Sequence, residues 1–158
     1  MMTQYLIFGI SISFISWLVG IFLHSILIKT AYYKKLSNLN FIPSKMLNKA
    51  IGISYFKWIV KNTFFKYFNQ KILLENQQAD LTDIRAEMTV AELGHLIGFA
   101  FVSVVALYKG ISEGYVIALV IMIVNVVMNL YPSLLQQENK RRLDLLLKRQ
   151  MKVNVRAN

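Results

Sequence analysis

The sequence predicts an all-α integral membrane protein, with three transmembrane helices and amphipathic helices at the cytoplasmic interface. The first observation is composition: 56% of the 158 residues are hydrophobic and only 16% are charged, whereas soluble domains carry about 25% charged residues. The second is that three apolar segments are each long enough to cross a bilayer core, which takes about 20 residues. We predict one membrane domain over residues 1–158, and a soluble all-helical core is the alternative.

The three predicted spans are residues 5–28, 88–108 and 114–135. The first contains no Asp, Glu, Lys or Arg. It is long, has no basic residue before it and has no small-residue cleavage site after it. We therefore interpret it as a retained helix and not as a signal peptide.

The basic residues predict the orientation of these spans. Ten of them lie between the first and second spans and seven follow the third, while the hairpin between the second and third has only Lys109. Cytoplasmic loops of membrane proteins carry the excess of Lys and Arg. We therefore predict a multi-pass protein of the cytoplasmic (inner) membrane, with its N-terminus outside and its C-terminus inside.

The long inner segment, about 44–74, interleaves aromatic residues with lysines. This pattern predicts one or two helices in the headgroup layer, in contact with anionic lipids, and we do not expect nucleic acid as a partner. Pro43 and Ser44 predict a helix start. The residues that carry the pattern are Tyr55, Phe56, Lys57, Trp58, Lys61, Phe64, Phe65, Lys66, Tyr67, Phe68 and Lys71.

Polar sequence flanks the second and third spans. The stretch 75–83 is polar and acidic, which predicts a loop before the second span. Residues 139–158 form a basic C-terminal tail, and we interpret Arg141, Arg142, Lys148 and Arg149 as mostly solvated or lipid-facing.

Ionisable residues inside a membrane helix are costly and are functional candidates by default. Glu92 and His95 are three residues apart and share one helical face, so Glu92 is placed to orient His95 as a general base. In the third span a polar stripe runs at helical spacing through Asn125, Asn129, Pro132 and Gln136.

The antiparallel second and third spans put these groups at similar depth on the inner side. We predict an inner-leaflet pocket of Glu92, His95, Asn129 and Gln136, with His24 of the first span as a further neighbour. For His24 and Asn125 we favour a packing role, because polar side chains in helical bundles often bond a neighbouring helix.

Several site chemistries are excluded. The chain has no cysteine and only two histidines, so thiolate metal sites, a Cys nucleophile and a multi-histidine zinc site are ruled out. A His followed four residues later by Asp is also absent. We expect no metal and no resident cofactor.

Two stretches of the chain resemble the glycosyl-4,4'-diaponeurosporenoate acyltransferase family, small membrane proteins of staphyloxanthin-type carotenoid biosynthesis. The family pattern has Glu, four residues and Glu-Leu-x-His, and later Asn, six residues and Gln-Arg-Tyr-Asn-Arg-x-Arg-Leu. The chain departs from it at Gln137, Glu138 and Lys140. The positions retained here are Glu87, Ala91, Glu92, Leu93, His95, Asn129, Gln136, Asn139, Arg142 and Leu143.

The resemblance implies transfer of an acyl chain from acyl-CoA or acyl carrier protein to a hydroxyl of a glycosylated lipid or isoprenoid-type lipid. The family label is the main support for an enzyme. The implied catalytic pair is His95 with Glu92. The implied substrate-binding residues are Glu87, Asn129, Gln136, Asn139 and Arg142.

Two other readings stay open. The chain fits a non-catalytic small subunit or structural component of an inner-membrane complex, which would copurify with a larger protein. It also fits a channel or small transporter, which would need to oligomerise. Gly94 and Gly98 form a small-xxx-small pair that suits either packing within the chain or a homo-oligomer.

Overall fold

The structure, a computed structural model, describes residues 1–63 and 80–157. All regular elements in these ranges are helical, and a π-helical turn, Val126–Leu130, joins the last two helices. The α-helices are α1 (Met2–Leu27), α2 (Tyr33–Leu36), α3 (Lys45–Ala50), α4 (Ile53–Asn62), α5 (Leu81–Glu113), α6 (Tyr115–Asn125) and α7 (Tyr131–Ala157).

Three helical stretches are long and apolar enough to cross a membrane. They are Met2–Leu27, Leu81–Glu113 and Tyr115–Lys152. The predicted fold class, all-α with three spans, is confirmed. The three apolar helices indicate a multi-pass membrane protein.

The chain divides into two compact units. Unit 1 comprises Met1–Leu39 and Val90–Ser133, and unit 2 comprises Asn40–Thr89 and Leu134–Asn158. Most of the charged residues belong to unit 2. The single domain expected over residues 1–158 stays a prediction.

In unit 1, α1 packs against α6. The core of the unit is formed by Val102 and Ala106 of α5 with Ile117 and Ile121 of α6. Many large apolar side chains on the other sides of α1 are exposed, as in Leu18, whose exposure is 69%. An apolar surface of this kind is expected where a helix faces lipid.

The turn between α5 and α6 lies beyond the predicted end of the second span. The helix α5 continues to Glu113, whose carboxylate pairs with Lys109 one turn earlier. Gly114 then reverses the chain at φ 107°, a backbone conformation that glycine adopts without steric cost.

The first half of unit 2 begins with the two short helices α3 and α4. Ser44 precedes α3 and its hydroxyl accepts a hydrogen bond from the Leu47 N–H at 3.5 Å, which confirms the predicted helix start. The helix α4 buries Ile53 and Val60. Location of these helices in the headgroup layer stays a prediction. The interfacial residues predicted farther along the segment lie outside the described residues: Phe64, Phe65, Lys66, Tyr67, Phe68 and Lys71.

The prediction of a loop over 75–83 is wrong for residues 81–83, which are helical. Residues 75–79 lie outside the described ranges. The helix α5 begins at Leu81, because the Asp80 carboxylate caps it by accepting the Thr82 N–H at 2.9 Å. Farther along, Ile84 and Met88 pack with Leu143 of α7.

The basic tail is not an extended segment, since α7 continues to Ala157. Within it, Lys140 is only 3% exposed, and the Arg141 guanidinium donates to the Ile42 carbonyl at 2.7 Å. Arg141 is half-buried and chain 40–44 of the same unit accepts a hydrogen bond from its guanidinium, while the solvated or lipid-facing interpretation of the tail stays a prediction.

Candidate functional site

The helices α1 and α5 approach closely where both carry small residues. A Cβ atom placed on Gly20 would overlap the carbonyl of Gly94. One placed on Gly98 would lie 2.9 Å from Ser16 Oγ and 3.0 Å from Asn129 Oδ1. Of the predicted small-xxx-small pair, Gly98 is therefore needed for close packing within the chain, whereas a Cβ on Gly94 would meet nothing within 4 Å.

Beside this contact lies a buried network of neutral polar side chains. Asn129 Nδ2 donates to Ser16 Oγ at 3.1 Å and to Asn125 Oδ1 at 2.9 Å. Asn125 Nδ2 in turn donates to the Phe99 carbonyl at 3.0 Å and to Ser103 Oγ at 3.2 Å. The packing role expected for Asn125 is confirmed, since it ties α6 to α5.

His95 is attached to this network. A side-chain hydrogen bond joins it to Asn129, and its ring meets the Trp17 indole edge-on, with centroids 5.9 Å apart. Its Nδ1 is buried and has no hydrogen-bond partner among the described residues, which leaves Nε2 for Asn129. A neutral imidazole that donates from Nε2 keeps the Nδ1 lone pair as a base.

Glu92 lies on the same helix, three residues before His95, and its side chain is fully buried. Its predicted role in orienting His95 stays a prediction. The described hydrogen-bond partner of the His95 ring is Asn129. The sequence analysis predicted that Asn129 lies at the same depth as His95, but assigned it to substrate binding.

A π-helical turn sets the position of Asn129. The Tyr131 N–H bonds the Val126 carbonyl five residues earlier, and the next residue, Pro132, has no N–H to offer. Single π-helical turns are often found at functional sites. The buried polar residues within the turn and beside it are Asn125, Asn129, Ser133 and Gln137. The buried stripe thus includes Gln137, whereas Gln136, which the sequence predicted for it, is half-buried.

His24 lies nearer the end of α1 than the Asn129 network. Its ring contacts Tyr33 edge-on, with centroids 5.6 Å apart. Its side chain is buried, and Nε2 has no hydrogen-bond partner in the described part of the chain. The packing role favoured for His24 stays a prediction.

The other predicted site residues belong to unit 2. Gln136 and Asn139 are half-buried, and Glu87 and Arg142 are exposed. Arg142 Nη2 pairs with the Glu138 carboxylate one turn earlier. Among the predicted catalytic and substrate-binding residues, the described contacts bring together Asn129 and His95.

Sequence reasoning missed the burial of two further residues in unit 2. Gln137 and Glu138 are 5% and 8% exposed. Gln137 Oε1 accepts the Phe41 N–H at 2.9 Å. Their place in a basic segment suggested a solvated face, and the signal that was available is the spacing of four residues from Ser133 to Gln137.

The comparisons with known proteins give one match. The model of the family described as glycosyl-4,4'-diaponeurosporenoate acyltransferase matches residues 29–149. No curated protein and no solved structure matches the chain. The matched region includes Glu92, His95 and Asn129 and covers most of the sequence. The chain therefore belongs to the glycosyl-4,4'-diaponeurosporenoate acyltransferase family.

Proposed function

We propose that this protein is a membrane O-acyltransferase that acts on a hydroxyl of a glycolipid or isoprenoid-type lipid. The acyl donor is a cytoplasmic thioester, either acyl-CoA or an acyl carrier protein. Family membership suggests an acyltransferase of carotenoid biosynthesis. The observation that carries the mechanism is the buried, unpartnered Nδ1 of His95 on a ring that Asn129 holds.

In the proposed reaction, His95 Nδ1 takes the proton of the acceptor hydroxyl as the oxygen attacks the thioester carbonyl carbon. The tetrahedral intermediate then expels the thiolate, which receives the proton from the imidazolium. Asn129 acts as a positioning residue for the ring. Because its amide group already donates to Ser16 and Asn125, we do not assign it to the developing oxyanion.

Glu92 is proposed to stabilise the imidazolium that forms on His95. A carboxylate near an imidazolium favours the protonated ring. Glu87, Gln136, Asn139 and Arg142 remain proposed substrate-binding residues.

The proposed orientation has the N-terminus outside and the C-terminus inside. The charge asymmetry supports it, and Lys109, the basic residue of the outer hairpin, is paired with Glu113. The chain has no cysteine, so single cysteines can report each side. We expect Ser112→Cys to react with an impermeant maleimide on intact cells and Lys148→Cys to react only after permeabilisation. The reverse pattern would overturn the orientation.

The test of function is lipid mass spectrometry of cells that lack this protein and of cells complemented with variants. We expect one lipid to lose one acyl chain on deletion and to regain it with the wild type but not with His95→Gln. The matched control is His24→Gln, the other buried histidine, which should restore the lipid.

The same variants separate an enzyme from a subunit. Wild-type protein purified into vesicles should transfer the acyl chain by itself, and His95→Gln should lower the rate by about 10²–10⁴-fold. Equal rescue by wild type and His95→Gln, without any lipid change, would favour the non-catalytic subunit instead.

A further inference from the structure

Two consecutive residues of α7 in unit 2 keep buried polar atoms without partners. Gln137 uses Oε1 for the Phe41 N–H, but its Nε2 donor has no partner among the described residues. Glu138 binds Arg142 through Oε1, but its Oε2 acceptor is likewise unpartnered there. Buried polar groups nearly always find a partner. Because Gln137 Nε2 lacks an acceptor and Glu138 Oε2 lacks a donor, the two atoms indicate a bound polar molecule.

Both residues interact with the first half of unit 2. Gln137 bonds Phe41, and Glu138 interacts electrostatically with Lys57 of α4. Lys57 is half-buried, and its ammonium makes no hydrogen bond or ion pair within the described part of the chain. Unit 2 therefore holds an unmatched donor, an unmatched acceptor and an unpaired cation, and Lys57 interacts with the residue that carries the unmatched acceptor, Glu138.

The charges around Lys57 are mostly positive. Partial burial and the nearby charges of Arg142 and Lys61 lower the pKa of Lys57, against the opposing effect of Glu138. Arg142, at 59% side-chain exposure, still presents part of its guanidinium to solvent. An anionic group at the open side of the site would offset this repulsion.

We infer that Gln137, Glu138 and Lys57 form, with Arg142, the binding site for the phosphopantetheine arm of the acyl donor. A secondary amide of the arm donates its N–H to Glu138 Oε2 and accepts from Gln137 Nε2. The phosphate at its end pairs with Lys57 and Arg142. The inference rests on the proposed function, because acyl transfer from a cytoplasmic thioester is what calls for such a donor.

A simple phosphate does not satisfy the same site. Its monohydrogen form has an O–H for the buried Glu138 oxygen, but its two negative charges would be repelled by that carboxylate. An amide supplies both missing partners in one planar group, which leaves the phosphate for the cations. Coenzyme A and an acyl carrier protein both carry this arm.

The test is equilibrium binding to the full-length protein in nanodiscs of zwitterionic lipid. The probes are 4'-phosphopantetheine, pantetheine without phosphate, and adenosine 3',5'-bisphosphate without the arm. We expect phosphopantetheine to bind, pantetheine to bind about tenfold more weakly and the bisphosphate to bind more weakly still.

Two variants separate the amide contact from the phosphate contact. Lys57→Met should weaken phosphopantetheine about tenfold and leave pantetheine unchanged, whereas Glu138→Met should weaken both about tenfold. The matched controls are Lys49→Met, which removes an exposed lysine of α3, and Asp144→Asn, which removes another arginine pair of α7. Both controls should bind as the wild type does.

Coenzyme A and a holo carrier protein then compete with phosphopantetheine, and the stronger competitor identifies the source of the arm. The inference is overturned if the bisphosphate binds as well as phosphopantetheine, or if Glu138→Met binds both arms normally. It is also overturned if no arm binds while transfer dependent on His95 persists, which would leave the proposed function standing. Binding without any transfer would support the site and remove the proposed function.

Discussion

Units 1 and 2 satisfy their buried polar groups in different ways. In unit 1 the described network is neutral, with hydroxyl and amide groups of Ser16, Asn125 and Asn129 bonding one another across helices. In unit 2 the described side-chain pairs are ionic, as between Arg85 and Asp144 at 2.6 Å. We expect this difference if unit 1 holds the residues at the centre of the membrane, because a bilayer core gives no water to an ion and charged groups there are far costlier than amides.

This difference predicts how each unit responds to substitution. A neutral network between closely packed helices depends on shape, so added atoms and lost amides should matter most in unit 1. Half-exposed ion pairs are screened by water and contribute little, so charge removal in unit 2 should be tolerated. The four predictions below run from the largest expected effect to the smallest.

The largest effect is expected at the α1–α5 contact. Gly20→Ala places a Cβ against the Gly94 carbonyl, which is backbone and has no rotamer to change. We expect a loss of stability of about 3 kcal/mol or more, measured as the drop in the thermal midpoint of the purified protein and in the yield of inserted protein.

Gly94→Ala is the matched control, because a Cβ at Gly94 meets nothing within 4 Å. It should be as stable as the wild type or slightly more stable, since alanine favours a helix over glycine by about 1 kcal/mol. Equal damage from both changes would mean that the contact is not as close as described.

The second prediction concerns Asn129, where the network meets His95. Asn129→Leu keeps the branched shape of the side chain, with somewhat larger methyl groups, but leaves Asn125 Oδ1, Ser16 and the His95 ring without this partner. We expect stability to fall by about 1–2 kcal/mol and the rate of the proposed acyl transfer to fall by about 10²-fold, as the proposed base, His95, loses its alignment. Steady-state rates and thermal unfolding of the same preparation measure the two effects.

Ser103→Ala serves as the comparison, because it removes the far end of the same network. Asn125 keeps its bond to the Phe99 carbonyl in that variant, so transfer should stay within about twofold of the wild type. A similar rate loss in both variants would mean that network stability, and not the position of His95, limits the reaction.

The sequence predicted those features that depend on local composition. Apolar length revealed the three spans, Ser44 marked the start of α3, and the spacing of polar residues placed Asn125 and Asn129 inside a helix. In each case the physical cause is a property of neighbouring residues.

Features that depend on distant neighbours were missed. No local signal distinguishes a basic tail in water from one whose Gln137 and Arg141 bond chain 40–44 of the same unit. The buried face of the third span passes through Gln137, whereas the predicted polar stripe passed through Gln136. The Asn129–His95 bond needed the register between two helices.

The third prediction tests charge in unit 2. The lowered pKa of Lys57 means that the fold disfavours its ammonium, mainly through partial burial. Lys57→Met should therefore raise the thermal midpoint by about 1–3 °C at pH 7. The gain should shrink as pH rises towards the ordinary value of 10.5, because the unfolded chain then binds more protons than the folded one and wild-type stability increases.

The smallest effect is expected for the Arg85–Asp144 pair. The two side chains are 26% and 40% exposed, so Asp144→Asn should cost about 0.5 kcal/mol, and less in high salt. Thermal unfolding at low and high ionic strength measures both quantities. A loss above about 2 kcal/mol that salt does not reduce would place this pair in a dry environment, and the contrast between the neutral network of unit 1 and hydrated ion pairs in unit 2 would fail. A small, salt-sensitive loss beside the large cost of Gly20→Ala would instead show that close helix packing, and not ion pairing, holds this membrane protein together.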